Sequence, residues 1–225
     1  MKVLVLGDGL LGTEIIKQTG WDYISRKKDK FDITVSSFNC LLGYDAIINC
    51  IACTDTYSDN KEKHWNINYR SVISLTDYCS LHNIKLIHIS SDYVYTNSVE
   101  NASENDVPVH GRNWYSYTKL LGDSYVQLNE ENLVLRGTHK PIPFKHSQAW
   151  INQIGNFDYV DVIAKIIIDL VKLKATGLYN IGTELKTMYD LAKQTNYNVN
   201  PIIIIDDKIP KNVSIDINKL NNFIK

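Results

Sequence analysis

The sequence predicts an α/β fold with a doubly wound parallel sheet, on three observations. Apolar runs of strand length, Lys2–Leu6, Asp45–Ile51, Ile84–Ile89 and Asn132–Arg136, alternate with stretches of helical period. The runs are almost uninterrupted by polar residues, as in strands covered on both faces. The first run leads into Gly7-Asp8-Gly9-Leu10-Leu11-Gly12, and a helical stretch, Thr13–Thr19, follows. A strand, a glycine turn and a helix in that order open a βαβ unit.

The 225 residues suffice for one substantial core, and we expect a single domain, 1–225. The formal charge of −1 leaves no electrostatic footprint for nucleic acid or an anionic membrane. No apolar stretch approaches the ~20 residues of a membrane span, and Val3–Leu6 is too short for a signal-peptide core. A cytoplasmic protein with free thiols is expected. Cys50 and Cys53 form a C-x-x-C, but no second Cys or His pair lies at zinc spacing, so no metal site is expected. Small residues packed at a strand end explain the pair more simply.

In the glycine turn, Gly7 permits the tight bend, Gly9 lets the backbone approach a pyrophosphate, and Gly12 lets helix and strand pack closely. Leu10 and Leu11 open the helix, whose free N–H groups and partial positive charge face phosphate. A Rossmann-type dinucleotide site is the expectation. The second strand, Trp21–Ser25, ends in Ser25-Arg26-Lys27-Lys28 where an NAD site usually carries an acid. A guanidinium there suits a 2′-phosphate, which favours NADPH over NADH. Asp32 and Ile33 follow where a loop edges the adenine.

The third strand, Asp45–Ile51, ends in Asn49-Cys50-Ile51-Ala52-Cys53, with small residues against which a cofactor can lie. Trp65, Val72, Leu75 and Cys79 recur at helical spacing, predicting a long helix over 58–81 whose aromatic stripe is core or a helix-pairing surface. The fourth strand, Ile84–Ile89, runs into Ser90-Ser91-Asp92-Tyr93-Val94-Tyr95 at the carboxyl end of the sheet, where open α/β sheets place ligands. Residues 97–113 read as a long surface loop. The next helix carries Tyr115 and Lys119, four positions apart and so on one face. The ammonium is expected to draw the phenol's pKa from ~10 toward working pH, which suits proton exchange with a carbonyl oxygen. Tyr117 lies only two positions from Lys119, on a different face.

After the strand Asn132–Arg136, residues 137–156 read as irregular. A helix over 158–172, a strand over 177–181, a short helix over 186–195, a late strand over 201–205 and a helical tail follow.

Taken together, GDGLLG, SSDYVY and YSYTK resemble the extended short-chain dehydrogenase/reductase family, and within it the dTDP-4-dehydrorhamnose reductases. The matching segments are Ser91-Asp92-Tyr93-Val94-Tyr95, Tyr115-Ser116-Tyr117-Thr118-Lys119 and Leu135-Arg136-Gly137-Thr138. The resemblance implies an NAD(P)H-dependent reduction of a 4-keto-6-deoxy sugar nucleotide. Tyr115 would donate the proton, Lys119 would hold the nicotinamide ribose, and Ser91 would polarise the carbonyl. Ser91, Asp92, Tyr93 and Tyr115 would meet the substrate. Gly7, Gly9, Leu10, Leu11, Gly12, Arg26, Asp32, Ile33, Cys50, Ile51, Ala52, Ser90, Lys119 and Thr138 would line the cofactor. A homodimer through the helices 58–81 and 115–128 is implied as well.

Asp92-Tyr93 stands where dehydratases carry Asp-Glu, and Asp92 stands where fucose-synthase-type epimerases carry cysteine; both departures point to simple reduction. The C-terminal half reads as shortened, with a small substrate-binding part formed mainly by 137–158 and 180–225. That shortening motivates a competing reading, a non-catalytic dinucleotide-binding regulatory subunit of another enzyme.

Overall fold

β1 (Val3–Leu6) opens the computed structural model, which describes residues 1–225. Its side chains alternate between two cores: Val3 and Val5 face one helical layer, Leu4 and Leu6 the other. α1 (Leu10–Thr19) starts inside the glycine motif, three residues earlier than the periodicity suggests, because Gly9 serves as its N-cap. β2 (Asp22–Ile24) is followed by a single turn, α2 (Arg26–Asp29), capped by the Ser25 hydroxyl, which accepts from the Lys28 N–H at 3.1 Å.

β3 (Ala46–Asn49) leads to a rod in three parts: α3 (Lys61–His64), a π-helical turn (Trp65–Arg70) and α4 (Ser71–Leu81). The helix read over 58–81 therefore begins at Lys61, behind an Asn60 cap, and is widened in its middle. β4 (Lys85–Ile89) precedes a 3₁₀ turn (Asp92–Tyr95), then α5 (Trp114–Val126) and β5 (Leu133–Arg136) follow.

Beyond β5 the chain is more ordered than the sequence suggests. Residues 137–156, read as irregular, hold β6 (His139–Lys140), β7 (Gln148–Trp150) and β8 (Ile154–Gly155). β9 (Asp158–Tyr159), α6 (Val160–Lys172), β10 (Gly177–Asn180), β11 (Lys186–Thr187), α7 (Met188–Lys193), β12 (Asn200–Ile202), β13 (Asn212–Val213) and α8 (Asn218–Phe223) complete the chain. Strands this short pair over two or three residues and leave no periodic trace.

The main sheet runs β10-β5-β4-β3-β1-β2, every pair parallel. Strand order reverses between β1 and β3, so the crevice beyond their carboxyl ends is the switch point where such sheets bind ligands. α1 and α6 cover one face through Ile15, Ile163 and Ile167; α4 and α5 cover the other through Val72, Leu75 and Val126. A separate cluster, with Phe144, Phe157, Tyr159, Leu191 and Val213, forms a C-terminal lobe beside the sheet.

The loop 97–113 is tied down rather than free. Ala102 is buried and bridged to Ile215, Asn101 N–H donates to Ser214 Oγ at 2.8 Å, and Glu104 accepts from Asn180 N–H at 2.8 Å.

One polar cluster sits beneath α5. Asp123, wholly buried, accepts from Arg136 Nε at 2.8 Å, Arg136 NH2 at 3.0 Å and Ser90 Oγ at 2.7 Å. Arg136 also donates to the Tyr95 hydroxyl. A two-pronged pair with its lone pairs satisfied is the geometry in which buried charge is tolerated. Removing one partner strands the other. Asp123→Ala is expected to lose about 3–5 kcal/mol of stability, measured by urea unfolding; a loss below about 1 kcal/mol would show that the pair does not hold α5 on the sheet.

Candidate active site

The glycine turn is built by close approach. Gly7 has φ +95°, a conformation open to glycine, and a Cβ on Gly12 would lie 2.0 Å from the Gly7 carbonyl oxygen. Gly9 has open space on its Cβ side. No side chain caps the first turn of α1, so its N–H groups stay free toward the crevice. Thr13 Oγ1 closes the outer side of the turn by donating to the Asp8 carbonyl at 2.9 Å. Leu11 packs into the core and Leu10 is exposed, so the motif offers backbone to a ligand here, not side chains.

At the end of β2, Arg26, Lys27 and Lys28 are exposed on α2. Arg26 and Asp32 meet in an ion pair of 2.5 Å. The Asp32 carboxyl is held below its usual range, first by the Thr34 hydroxyl and backbone. Ile33 was expected at the adenine edge; its side chain instead lies in the core with Leu4, Leu6 and Phe31. The apolar side chain prefers the core, and only its backbone faces the loop.

Across the crevice, Asn49 Oδ1 accepts from Ile51 N–H at 3.1 Å, shaping the turn that carries Cys50, Ile51 and Ala52. Burial pushes the Cys50 thiol up to about 12, so it stays a protonated packing residue. Cys53 is pinned by Asn68: its N–H donates to Asn68 Oδ1 at 2.8 Å and its carbonyl accepts from Asn68 Nδ2 at 3.0 Å. The two bonds orient the Asn68 amide. Asn68 Nδ2 also lies 3.4 Å from His64 Nδ1, which must then be the acceptor, so the His64 proton is on Nε2. The π turn delivers Asn68 to this position. α5 fits against it because Gly122 has no side chain; a Cβ there would lie 2.4 Å from the Asn68 carbonyl.

Tyr115 and Lys119 share the inner face of α5, with Ser91 and Asp92 arriving from the end of β4. Ser91 donates to Asp92 Oδ1 at 3.3 Å, and Thr138 donates to the same oxygen at 2.6 Å. The Tyr93 ring lies 6.1 Å and the His64 ring 6.4 Å from the Tyr115 ring, both edge-on. Ser90 was expected to meet the cofactor, but its hydroxyl is spent on Asp123 and its N–H on the Leu135 carbonyl.

The electrostatics also correct an expectation. Lys119 does not draw the tyrosine down. Its ammonium donates to the Ile89 carbonyl at 2.6 Å, and burial, partly offset by Asp123, lowers it to about 8. Burial pushes Tyr115 up to about 12, against a smaller downward pull from the Ser91 hydroxyl. Desolvation disfavours both charged forms, and no close ammonium–phenol contact opposes it.

Residues 1–139 match the family described as the RmlD substrate binding domain. The chain belongs to this family. A spore coat polysaccharide biosynthesis protein of Bacillus subtilis, SpsK, is 26% identical over 179 residues; the match takes in 73% of this chain and 58% of that protein's length. Among solved structures, a hypothetical dTDP-4-dehydrorhamnose reductase from Sulfolobus tokodaii aligns at TM-score 0.82 and 23% identity, covering 99% of this chain and 94% of that one. A dTDP-4-dehydrorhamnose reductase from Bacillus anthracis, in complex with NADP, aligns at TM-score 0.83 and 21% identity, covering 99% and 93%. At such identities the structures show the fold, including its C-terminal lobe. No helix is long and apolar enough to cross a membrane.

The lysine gives a pH test. Its folded value lies below its unfolded one, so between about 8 and 10.5 the unfolded chain binds more protons. Stability is then present at high pH and lost as pH falls through that window, by about 3 kcal/mol. Lys119→Met is expected to flatten that slope in urea unfolding at pH 7.5–10.5; an unchanged slope would contradict the buried, weakly paired ammonium.

Proposed function

We propose that the chain is an NAD(P)H-dependent reductase of a 4-keto-6-deoxy sugar nucleotide. The single observation that carries the reading is the convergence of the Ser91 hydroxyl, from the end of β4, and the Tyr115 phenol, from α5, at the carboxyl edge of the sheet whose first strand leads into the glycine turn. The family and the NADP bound to the Bacillus anthracis protein support the cofactor class.

The residues fit a dinucleotide. Gly9 and the uncapped first turn of α1 would take the pyrophosphate, and Cys50, Ile51 and Ala52 would form the opposite wall. Arg26, with Lys27 and Lys28 beside it, would take a 2′-phosphate, which favours NADPH. Asp32 would orient Arg26 through their ion pair. Lys119 and Thr138 would border the nicotinamide end.

When bound, the nicotinamide supplies a hydride to the ketone carbon. Tyr115 gives its proton to the ketone oxygen, and solvent restores it. A phenol held near 12 remains protonated at neutral pH, the state a donor requires. Ser91, beside that phenol, would hydrogen-bond the same oxygen. Tyr93 and Asp92 would contact the sugar, and the lobe formed by 137–158 and 180–225 would hold the nucleotide. Trp65 and Tyr69 of the π-helical turn, clustered with Tyr117 of α5, would pair two copies as a homodimer.

With dTDP- or UDP-4-keto-6-deoxyhexoses, the protein is expected to consume NADPH, and Tyr115→Phe to lose about 10²–10⁴-fold in kcat while still binding NADPH. Equal turnover in the Phe variant would remove Tyr115 from the chemistry. Binding of NADPH without turnover of any keto-sugar would favour the regulatory-subunit reading.

A further inference from the structure

The buried and half-buried lysines of α5 and of the chain beyond β5 are not alike. Lys119 is committed to the Ile89 carbonyl. In the C-terminal lobe, Lys186 is saturated by Asp158 at 2.9 Å, Thr183 Oγ1 at 2.7 Å and Glu184 at 3.1 Å. Lys140 is different: it is half-buried, and its ammonium makes no hydrogen bond and no ion pair anywhere in the protein.

Its backbone is nevertheless well held. β6 pairs with β9, setting Lys140 opposite Tyr159. The Tyr159 hydroxyl is anchored to the Leu191 carbonyl at 2.8 Å. Burial lowers the pKa of Lys140, and the charge of Asp92 partly opposes it. Asp92 is not its partner in contact, since no Lys140–Asp92 approach falls within ion-pair distance and Asp92 Oδ1 already accepts from Thr138 and Ser91. His139 beside it is neutral, lowered to about 4 by burial. Thr138, two residues before Lys140, donates to Asp92 Oδ1 at 2.6 Å, and Asp92 follows Ser91 at the end of β4, so this contact ties the start of β6, which carries Lys140, to the segment that holds Ser91.

An ammonium withdrawn from water without a partner is costly, and a ligand anion offsets that cost. We propose that Lys140 is the substrate's anion anchor, binding a negatively charged oxygen group carried by the sugar nucleotide away from the reacting ketone. This rests on the sugar-nucleotide reading above. The chemistry is an anionic oxygen, from either a phosphate of the diphosphate or a carboxylate on the sugar.

Calorimetric titration of the NADP⁺-loaded protein with UDP-glucose and UDP-glucuronate, with dTDP-glucose as a check on the base, separates the sources. Lys140→Met is expected to weaken binding at least ~10-fold, a change of about 1.4 kcal/mol. An equal loss for all three ligands assigns the phosphate; a loss confined to UDP-glucuronate assigns a sugar carboxylate. Lys140→Arg, which keeps the charge, is expected to retain most of the affinity, and a loss as large as that of the Met variant would overturn the proposal. Affinities unchanged in Lys140→Met would overturn it while leaving the sugar-nucleotide reading intact. Failure of the unaltered protein to bind any of the three would overturn both. Circular dichroism and NADPH affinity report whether the variants are folded.

Discussion

The buried carboxylate of Asp123 is the constraint on which the site depends. It stands one helical turn beyond Lys119 on α5 and gathers Arg136 from β5 and Ser90 from the end of β4. Three elements distant in sequence are thereby locked in register at the carboxyl edge of the sheet. The helix bearing Tyr115 cannot rotate or slide without stranding a buried guanidinium. On its other side α5 rests on the π turn, where Gly122 admits the Asn68 backbone and Asn68 fixes Cys53. The two walls of the crevice, one after β3 and one on α5, are therefore braced against each other.

Dehydration sets the electrostatics of this arrangement. Lys119 and Tyr115 are pushed in opposite directions on the pH scale by the same cause, loss of water around the charged form. The phenol is thereby kept protonated at neutral pH, and the ammonium is held on a backbone carbonyl. A protonated phenol is the state that the proposed ketone reduction asks of Tyr115. A tyrosine lowered toward neutrality would instead favour removing a proton from an alcohol.

Much of this was legible in the sequence, and what was not has physical reasons. The glycine motif, the strand before it and the Tyr115–Lys119 pair are local patterns, and local patterns carry their own geometry. The six-stranded sheet follows from apolar runs long enough to read. Asp123 also had a local signal, four positions after Lys119 on one helical face, but its partners Ser90 and Arg136 belong to other strands. The Lys119–Ile89 bond spans thirty residues and involves a carbonyl that no side-chain pattern marks. The π turn hides inside an ordinary helical periodicity. The C-terminal lobe rests on two- and three-residue strands, whose pairing is set by the Phe157, Tyr159 and Val213 cluster rather than by alternation.

The central claim is that α5 presents Tyr115, and the end of β4 presents Ser91, to a dinucleotide seated on the glycine turn. A crystal structure of the complex with NADPH tests it most directly. The account places the pyrophosphate over Gly9 and the first turn of α1, and the nicotinamide ring against Tyr115 and Ser91. A pyrophosphate bound elsewhere, or a nicotinamide ring directed away from the Tyr115 hydroxyl, would contradict it.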